Sequence, residues 1–392
     1  MAGRTTLGEL CDIDVGPAFP SGEFRDDPVG PRLLRGDNVA QGRLRWDKTR
    51  FWPRQRCDGF ERYALREGDV IVAMDRPWIA AGLKQATVRE TDLPALLVQR
   101  VARLRARAPH TQAFLRWLVA SPAFTTYIRS VSTGSTIPHI SQGQIADFPV
   151  DRVPLPAEQR GIAGVLGALD DKIESNRRMT DAIGQVIRLE LDHCEGADWP
   201  HVPVSSLARF VNGGAYTKDA TGTGRMVIRI AELNKGAGSS TVYNDLVVPD
   251  DRTARAGDLM MSWSGSLGVH VWTGEEAIIN QHIFKVVPTE YPHWLVDDRL
   301  QRVIPEFRRI AADKATTMGH IKRHHLDETT VRVPGAAKLG TLDKELGPLW
   351  QRRLSAELES QTLAALRDAL LPELLSGRLR VPEAEDLVAD AG

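Results

Sequence analysis

Two long stretches of the chain place their apolar residues at helical intervals. In the first, Ile162, Leu166, Leu169 and Ile173 step by four, three and four, a heptad-like seam. The charged block Asp170-Asp-Lys-Ile-Glu-Ser-Asn-Arg-Arg178 interrupts the apolar density, and Ile183, Val186, Ile187 and Leu191 resume it. Pro156, Glu158 and Gln159 supply the proline, acid and amide that a helix N-terminus favours. The second stretch carries Leu342, Leu346, Leu349, Leu358, Leu363, Leu366 and Leu370 before Pro372, which is expected to end or kink it. About 36 helical residues make a rod of roughly 55 Å. A rod with one apolar stripe must bury that stripe. The nearest partner is the other rod, in an antiparallel pair; two rods each folded back on its own domain is the other solution.

Shorter patterns precede each rod. Gly68-Asp-Val-Ile-Val-Ala73 and the run Leu96 to Leu104 predict strands, and Phe114 to Val131 predicts a helix. Further on, Asp258 to Ser262 and Ile278 to Val287 predict strands, followed by a helix from His293 to Ala312 broken at Pro305. The chain is in effect written twice. At one gap-free offset Leu166 falls on Leu346, Gly167 on Gly347, Leu169 on Leu349, Ser175 on Ser355 and Leu191 on Leu371. The globular parts repeat more loosely. Gly16-Pro-Ala-Phe19 answers Gly213-Gly-Ala-Tyr216, and Leu34-Arg35 answers Ile228-Arg229. Gly68-Asp-Val70 answers Gly257-Asp-Leu259, and Gln99-Arg-Val101 answers Gln281-His-Ile283. Thr136-Ile-Pro-His-Ile140 answers Thr317-Met-Gly-His-Ile321. The expected fold class is α+β: two globular α/β domains joined by two long antiparallel coiled-coil helices, with a pseudo-two-fold internal repeat. The expected segments are 1–152, a spacer helix 153–196, a second globular domain 197–332, a second spacer helix 333–382 and a disordered tail 383–392.

Composition adds limits. A chain of 392 residues has room for two or more cores, and 42% hydrophobic with 26% charged residues is ordinary for a globular protein. The net charge of −1 gives no global basic field, although residues 1–155 hold 22 Lys and Arg against 17 Asp and Glu. Cys11, Cys57 and Cys194 are too scattered for a disulfide framework or a zinc site. No apolar run has the length of a membrane span and the start lacks a signal-peptide pattern, so a cytoplasmic protein is expected.

Catalytic constellations are missing. There is no Walker-type loop, nucleophile elbow or dinucleotide fingerprint, and no Asn-Pro-Pro-aromatic tetrapeptide of an amino-methyltransferase. His324 and His325 are adjacent, so they are expected on different helix faces rather than on one metal. Function concentrates in the polar turns before each rod. Thr133, Ser135, Thr136, His139, Ser141 and Gln142 cluster in the first copy. Lys314, Thr316, Thr317, His320, Lys322, Arg323 and His324 do so in the second, with more charge. Hydroxyl, amide, imidazole and cationic groups are the partners that phosphate oxygens and base edges require. Helix capping is the plainer role for each one taken singly. Arg35, Arg76 and Arg229 are candidate bidentate guanine readers; surface solvation is their alternative.

Pro154-Leu-Pro-Ala-Glu-Gln-Arg-Gly-Ile162 and Leu169-Asp-Asp-Lys-Ile-Glu-Ser-Asn-Arg177 resemble the central helix of type I restriction-modification specificity subunits. Leu370-Leu-Pro-Glu-Leu-Leu-Ser-Gly-Arg-Leu-Arg-Val381 resembles that family's C-terminal ending, and Gly134 to Ile140 is similar to the close of a target-recognition domain. The second rod departs from the pattern: it opens Val333-Pro-Gly-Ala-Ala-Lys-Leu339 instead of Pro-Leu-x-x-Glu-Gln. The resemblance implies a subunit without catalytic residues or cofactors of its own. Each globular domain would read one half of a split, asymmetric site on double-stranded DNA, and the paired rods would fix the gap. Two modification subunits, carrying S-adenosylmethionine for adenine N6-methylation, would dock through Glu158, Gln159, Ile162, Leu166, Leu374 and Leu375. Restriction subunits, using ATP and magnesium, would join the same core and cleave unmodified DNA. The alternatives are a self-contained methyltransferase or nuclease, and a specificity-like subunit of another phage-defence system.

Overall fold

A computed structural model describes residues 5–79, 82–133, 138–218, 220–238, 240–313 and 319–391. It divides into two compact units, one of Met1–Asp170 with Ala365–Gly392 and the other of Asp171–Ala364. The first rod is one helix, Pro156–Cys194, and the second is one helix, Ala336–Ser376. Each unit thus holds one globular module and part of each rod.

The two modules share a topology. In the first, the sheet order is Cys11–Val15, Val101–Ala106, Val70–Ala73, Gln85–Thr87, all neighbours antiparallel. In the second, Ala208–Asn212, Ile283–Pro288, Leu259–Ser262 and Gly268–Val271 take the same places with the same directions. A parallel strand pair accompanies each sheet: Arg32–Leu34 with Ala95–Leu97, and Arg225–Ile228 with Ala277–Ile279. An antiparallel clip pairs each module's entry with its exit, Thr5–Thr6 on Pro149–Val150 and His201–Pro203 on Thr330–Arg332. The repeat read in the sequence is therefore a repeat of strand order.

The central strands follow from local chemistry. Val70–Ala73 and Leu259–Ser262 are buried along their whole length, which accounts for their continuous rather than alternating apolar character. Each is entered through a left-handed glycine, Gly68 at φ +84° and Gly257 at φ +93°. The following aspartate closes the turn: Asp69 Oδ2 accepts from Arg66 N at 2.8 Å, and Asp258 Oδ2 from Arg255 N at 2.7 Å.

Several expected boundaries move. The run Leu96 to Leu104 is two strands, separated by a turn in which Arg100 has φ +63°. The stretch from Ile278 to Val287 divides in the same way, into Ala277–Ile279 and Ile283–Pro288. The helix expected over Phe114 to Val131 is Gln112–Ala120 and Pro122–Val131, with Ser121 Oγ accepting from Phe124 N to start the second. Pro305 does not break its helix, which runs unbroken over His293–Asp313. The proline removes one hydrogen bond, while Val303, Ile304 and Phe307 hold that turn in the core. Pro372 likewise lies inside the second rod. The tail expected to be disordered from 383 forms most of a helix, Val381–Ala391, anchored by fully buried Ala384. A Cβ on Gly161 would meet Val381 at 3.0 Å, so this helix lies close against the first rod.

The rods pair antiparallel. In the second unit Lys172 and Asn176 both reach Glu359, at 3.2 and 2.8 Å, while Cys194 lies against Lys338. In the first unit Arg367 holds Asp170 at 2.8 Å. The charged block that interrupts the heptad seam thus supplies a polar seam between rods. Packing on the modules occurs as well. Ile183, Ile187 and Leu191 share one core with Leu342, Leu346 and Trp350 and with the module's Trp294 and Leu295. The two solutions left open by the apolar stripe are both used.

Candidate nucleic-acid interface

At one end of each sheet the same backbone frame assembles from three separated segments. In the first module Met74 N–H donates to Arg100 O at 2.9 Å, Arg76 N–H to Pro138 O at 2.8 Å and Ile140 N–H to Met74 O at 2.9 Å. In the second, Trp263 N–H donates to His282 O at 3.2 Å, Gly265 N–H to Gly319 O at 2.9 Å and Ile321 N–H to Trp263 O at 3.0 Å. The repeated His-Ile pairs at 139–140 and 320–321 are therefore docking segments. They tie the turn before each rod to the end of a central strand. His139 and His320 are exposed on this frame.

The side chains on the two frames differ. The first borders a cleft of about 450 Å³ whose walls include Phe19, Arg35, Asp37, Asp75, Arg76, Lys84 and Arg100. Arg100 pairs with Asp75, and Arg76 is exposed with φ +44°. Lys84 is only 6% exposed, and burial pulls its ammonium below the usual lysine range against the opposing pull of Asp37. On the second frame the described groups include an indole, imidazoles, a hydroxyl and amides. Trp263 donates Nε1–H to Asn212 Oδ1 at 2.9 Å and lies 5.2 and 6.4 Å from the His282 and His320 rings. Buried Ser264 Oγ, Asn280 Oδ1 and His282 Nδ1 have no partner among the described residues. Lys84, Trp263, Ser264, Asn280 and His282 were not singled out by sequence reasoning. The aligned Gly-Asp turns place Ser264 opposite Asp75, and that offset is the signal that leads to them.

The residues singled out in the sequence fare differently. Arg35 donates Nη2–H to Lys48 O at 3.1 Å, while its buried Nε has no partner among the described residues. Thr133 and His139 bridge through backbone bonds of 3.1 and 2.9 Å and a 3.0 Å contact from Oγ1 to Nε2. Ser141 caps the helix Gln142–Ala146, its Oγ accepting from Gln144 N at 3.1 Å, and Gln142 donates to Ile13 O at 2.6 Å. Arg229 is not open to a base: Glu232 grips it at 2.6 and 3.0 Å, and Ser240 O takes a further hydrogen bond. Burial opposes ionisation of Glu232, but this grip by Arg229 holds the carboxyl below its usual range. Arg323 folds back onto Phe210 O at 2.8 Å and lies over the Phe284 ring. Lys322 is exposed, at the start of the helix Arg323–Glu328. Ser135, Thr136, Lys314, Thr316 and Thr317 lie outside the described residues.

His324 is exposed and His325 buried, yet the two rings still touch. Their ring centroids are 4.1 Å apart, and with Glu328 they bring ligand atoms within 4.8 Å of one another. His325 Nδ1 accepts from Lys322 N at 3.0 Å, which places the proton of the neutral ring on Nε2 and suits a cap better than a ligand.

Residues 4–185 match the model of the type I restriction modification DNA specificity domain. Over that stretch, a little under half of the chain, it resembles the specificity subunits of type I restriction-modification systems. Among specificity subunits of that family, it is 33% identical over 176 residues to that of the type I restriction enzyme EcoAI of Escherichia coli. This match covers 44% of this chain and 28% of the relative. It is 29% identical over 180 residues to the MjaVIII specificity subunit of Methanocaldococcus jannaschii, covering 45% of this chain and 41% of the relative. The aligned parts thus span less than half the length of either relative. The crystal structure of a type I restriction-modification S subunit from M. genitalium aligns over 95% of both chains, with a TM-score of 0.52 and 15% identity. That likeness concerns the fold.

The docking positions that the resemblance to specificity subunits implied differ in exposure. Gln159, Ile162, Leu166 and Leu374 are interior, and Leu375 is half-buried. Gln159 Oε1 accepts from Thr111 N at 2.9 Å, and its Nε2 donates to Pro154 O at 2.9 Å. Glu158 is taken by Arg152 at 2.5 Å. A side chain that fills its own core has no surface left for a partner. The heptad pattern marks burial, and four of the positions that the resemblance implied fall on that buried stripe or beside it. Exposed apolar residues lie elsewhere on the first rod, at Val186 and Leu189, the latter 66% exposed.

Among the described residues no helix is long and apolar enough to cross a membrane.

Proposed function

We propose that the chain is the DNA-specificity subunit of a type I restriction-modification complex. Its two modules bind the two halves of a bipartite, asymmetric site on double-stranded DNA. Two modification subunits, supplied with S-adenosylmethionine, methylate adenine N6 at the site so chosen, and restriction subunits with ATP and magnesium cleave unmodified DNA. The modification subunits extrude the target base, and this chain's share is to select and align the duplex. The observation that carries the reading is the frame built twice from matching backbone bonds and furnished with different side chains. One frame with two chemistries suits two half-sites of different sequence. Antiparallel pairing of the rods supports a spacer role.

The test is an exchange of residues 5–150, bounded by the clip of Thr5–Thr6 on Pro149–Val150, for the corresponding module of a relative. N6-methyladenine mapped across the genome of a host expressing the hybrid complex should show one new half-site and one unchanged. A change in both halves, or in neither, refutes the modular reading.

A further inference from the structure

The lysine in the first module's cleft poses a problem in electrostatics. Lys84 is 6% exposed overall and its ammonium forms no hydrogen bond or ion pair with any described residue; its Nζ is not among the fully buried unpartnered atoms and opens onto the cleft. Burying an unpaired charge is costly, and buried charges are ordinarily paired. The neighbouring Arg35 Nε is buried without a partner among the described residues. The exposed guanidinium of Arg76 faces the same cleft. Asp37 and Asp75 lie on its walls, but Asp75 is occupied by Arg100. Counting Arg35, Arg76, Lys84 and Arg100 against the two aspartates, the cleft keeps an excess of two positive charges.

We propose that this cleft is an anion site whose occupant is a phosphate group of the bound DNA backbone, with Lys84 as its central ligand. A phosphodiester carries the full counter-charge that an unpaired ammonium requires, whereas a base edge offers only partial charge. Its oxygens also accept from guanidinium groups such as those of Arg35 and Arg76. The inference rests on the DNA-binding reading and deepens it. The site belongs to the first module: at the corresponding place in the second, Arg229 is already neutralised by Glu232. The first module therefore fixes its position on the duplex through a seated phosphate, and the second presents the different groups around Trp263.

The experiment compares the full-length chain with its Lys84→Met variant in three measurements. The first is Tm without ligand, where the variant should equal or exceed the native chain because an unpaired charge has been removed. In the second, Tm in sodium phosphate is set against sodium chloride at equal ionic strength. The native chain should be stabilised by phosphate and the variant should not. Third, binding to a random-sequence 40-base-pair duplex is followed across salt concentrations. The slope of log affinity against log salt should be shallower by about 0.9 in the variant, the contribution of one phosphate contact. A variant that melts lower and keeps the phosphate response shows Lys84 to be structural and overturns the proposal. Loss of the phosphate response with an unchanged DNA slope overturns the assignment to DNA, since the anion would then be free phosphate. If the native chain binds no duplex at any salt, the specificity-subunit reading fails, while the phosphate measurement still decides whether the cleft is an anion site.

Discussion

Replacing Gln159 by alanine separates an internal staple from a docking contact. The native side chain accepts from Thr111 N at 2.9 Å, donates to Pro154 O at 2.9 Å and lies 3.0 Å from His110 Nδ1. It therefore joins the first rod to the residue that caps the helix Gln112–Ala120 and to the chain entering the rod. Truncation strands two backbone groups. A buried polar group left without a partner costs about 1–3 kcal/mol, so the loss should total roughly 3 kcal/mol, with half-buried Thr111 recovering part of its share from water. For a unit of about 200 residues, each kcal/mol moves Tm by about 2–4 °C, giving a fall of roughly 6–12 °C. The assay is differential scanning calorimetry with amide exchange followed at Thr111. Gln159→Met serves as a control: it restores volume without hydrogen bonds and should remain well below the native Tm. A Tm within about 2 °C of native for the alanine variant, with Thr111 still protected, would refute the reasoning and restore Gln159 as a surface group for a partner.

Duplicating one heptad in each rod, after Ser175 and before the facing Glu359, should lengthen the spacer between half-sites. Seven residues add about 10 Å, close to three base pairs at 3.4 Å each, and mapping of methylated adenines in cells would show it; an unchanged spacer rules out the rods as a ruler. The stability gap between Lys84→Met and the native chain should close as pH rises toward 10.5, the ordinary lysine value. Burial lowers the folded-state pKa of Lys84, so between that pKa and 10.5 the unfolded chain binds more protons and native stability climbs with pH. Chemical denaturation at a series of pH values reads this, and a gap that is constant or widening contradicts an unpaired Lys84.

Both rods, the strands after Gly68-Asp69 and Gly257-Asp258, and the correspondence of the two modules were legible as pattern. Helical periodicity, turn residues and repetition are properties of consecutive residues, and each of these features is local or repeated. Boundaries were less legible where a local rule met tertiary packing. Pro305 reads as a breaker, but a surrounding core of Val303, Ile304 and Phe307 offsets one lost hydrogen bond. The C-terminal residues are short and charged enough to read as a tail, until Val381 meets Gly161 and Ala384 becomes buried.

The amino-acid sequence by itself determined that there are two unlike modules, each followed by a long helix, because duplication and period survive in one dimension. Which side chains are open to a ligand was decided only in three dimensions. Arg35 and Arg229 occupy matching positions in the repeat, yet Arg229 is closed by Glu232, three residues away, and Arg35 keeps a bare nitrogen. Gln159 has the look of a surface amide on a helix and is an internal strut. Lys84 looks like any other lysine in the sequence, and it is largely buried beside a cleft. Availability depends on what lies opposite a group in space, and the order of residues along a chain does not record that.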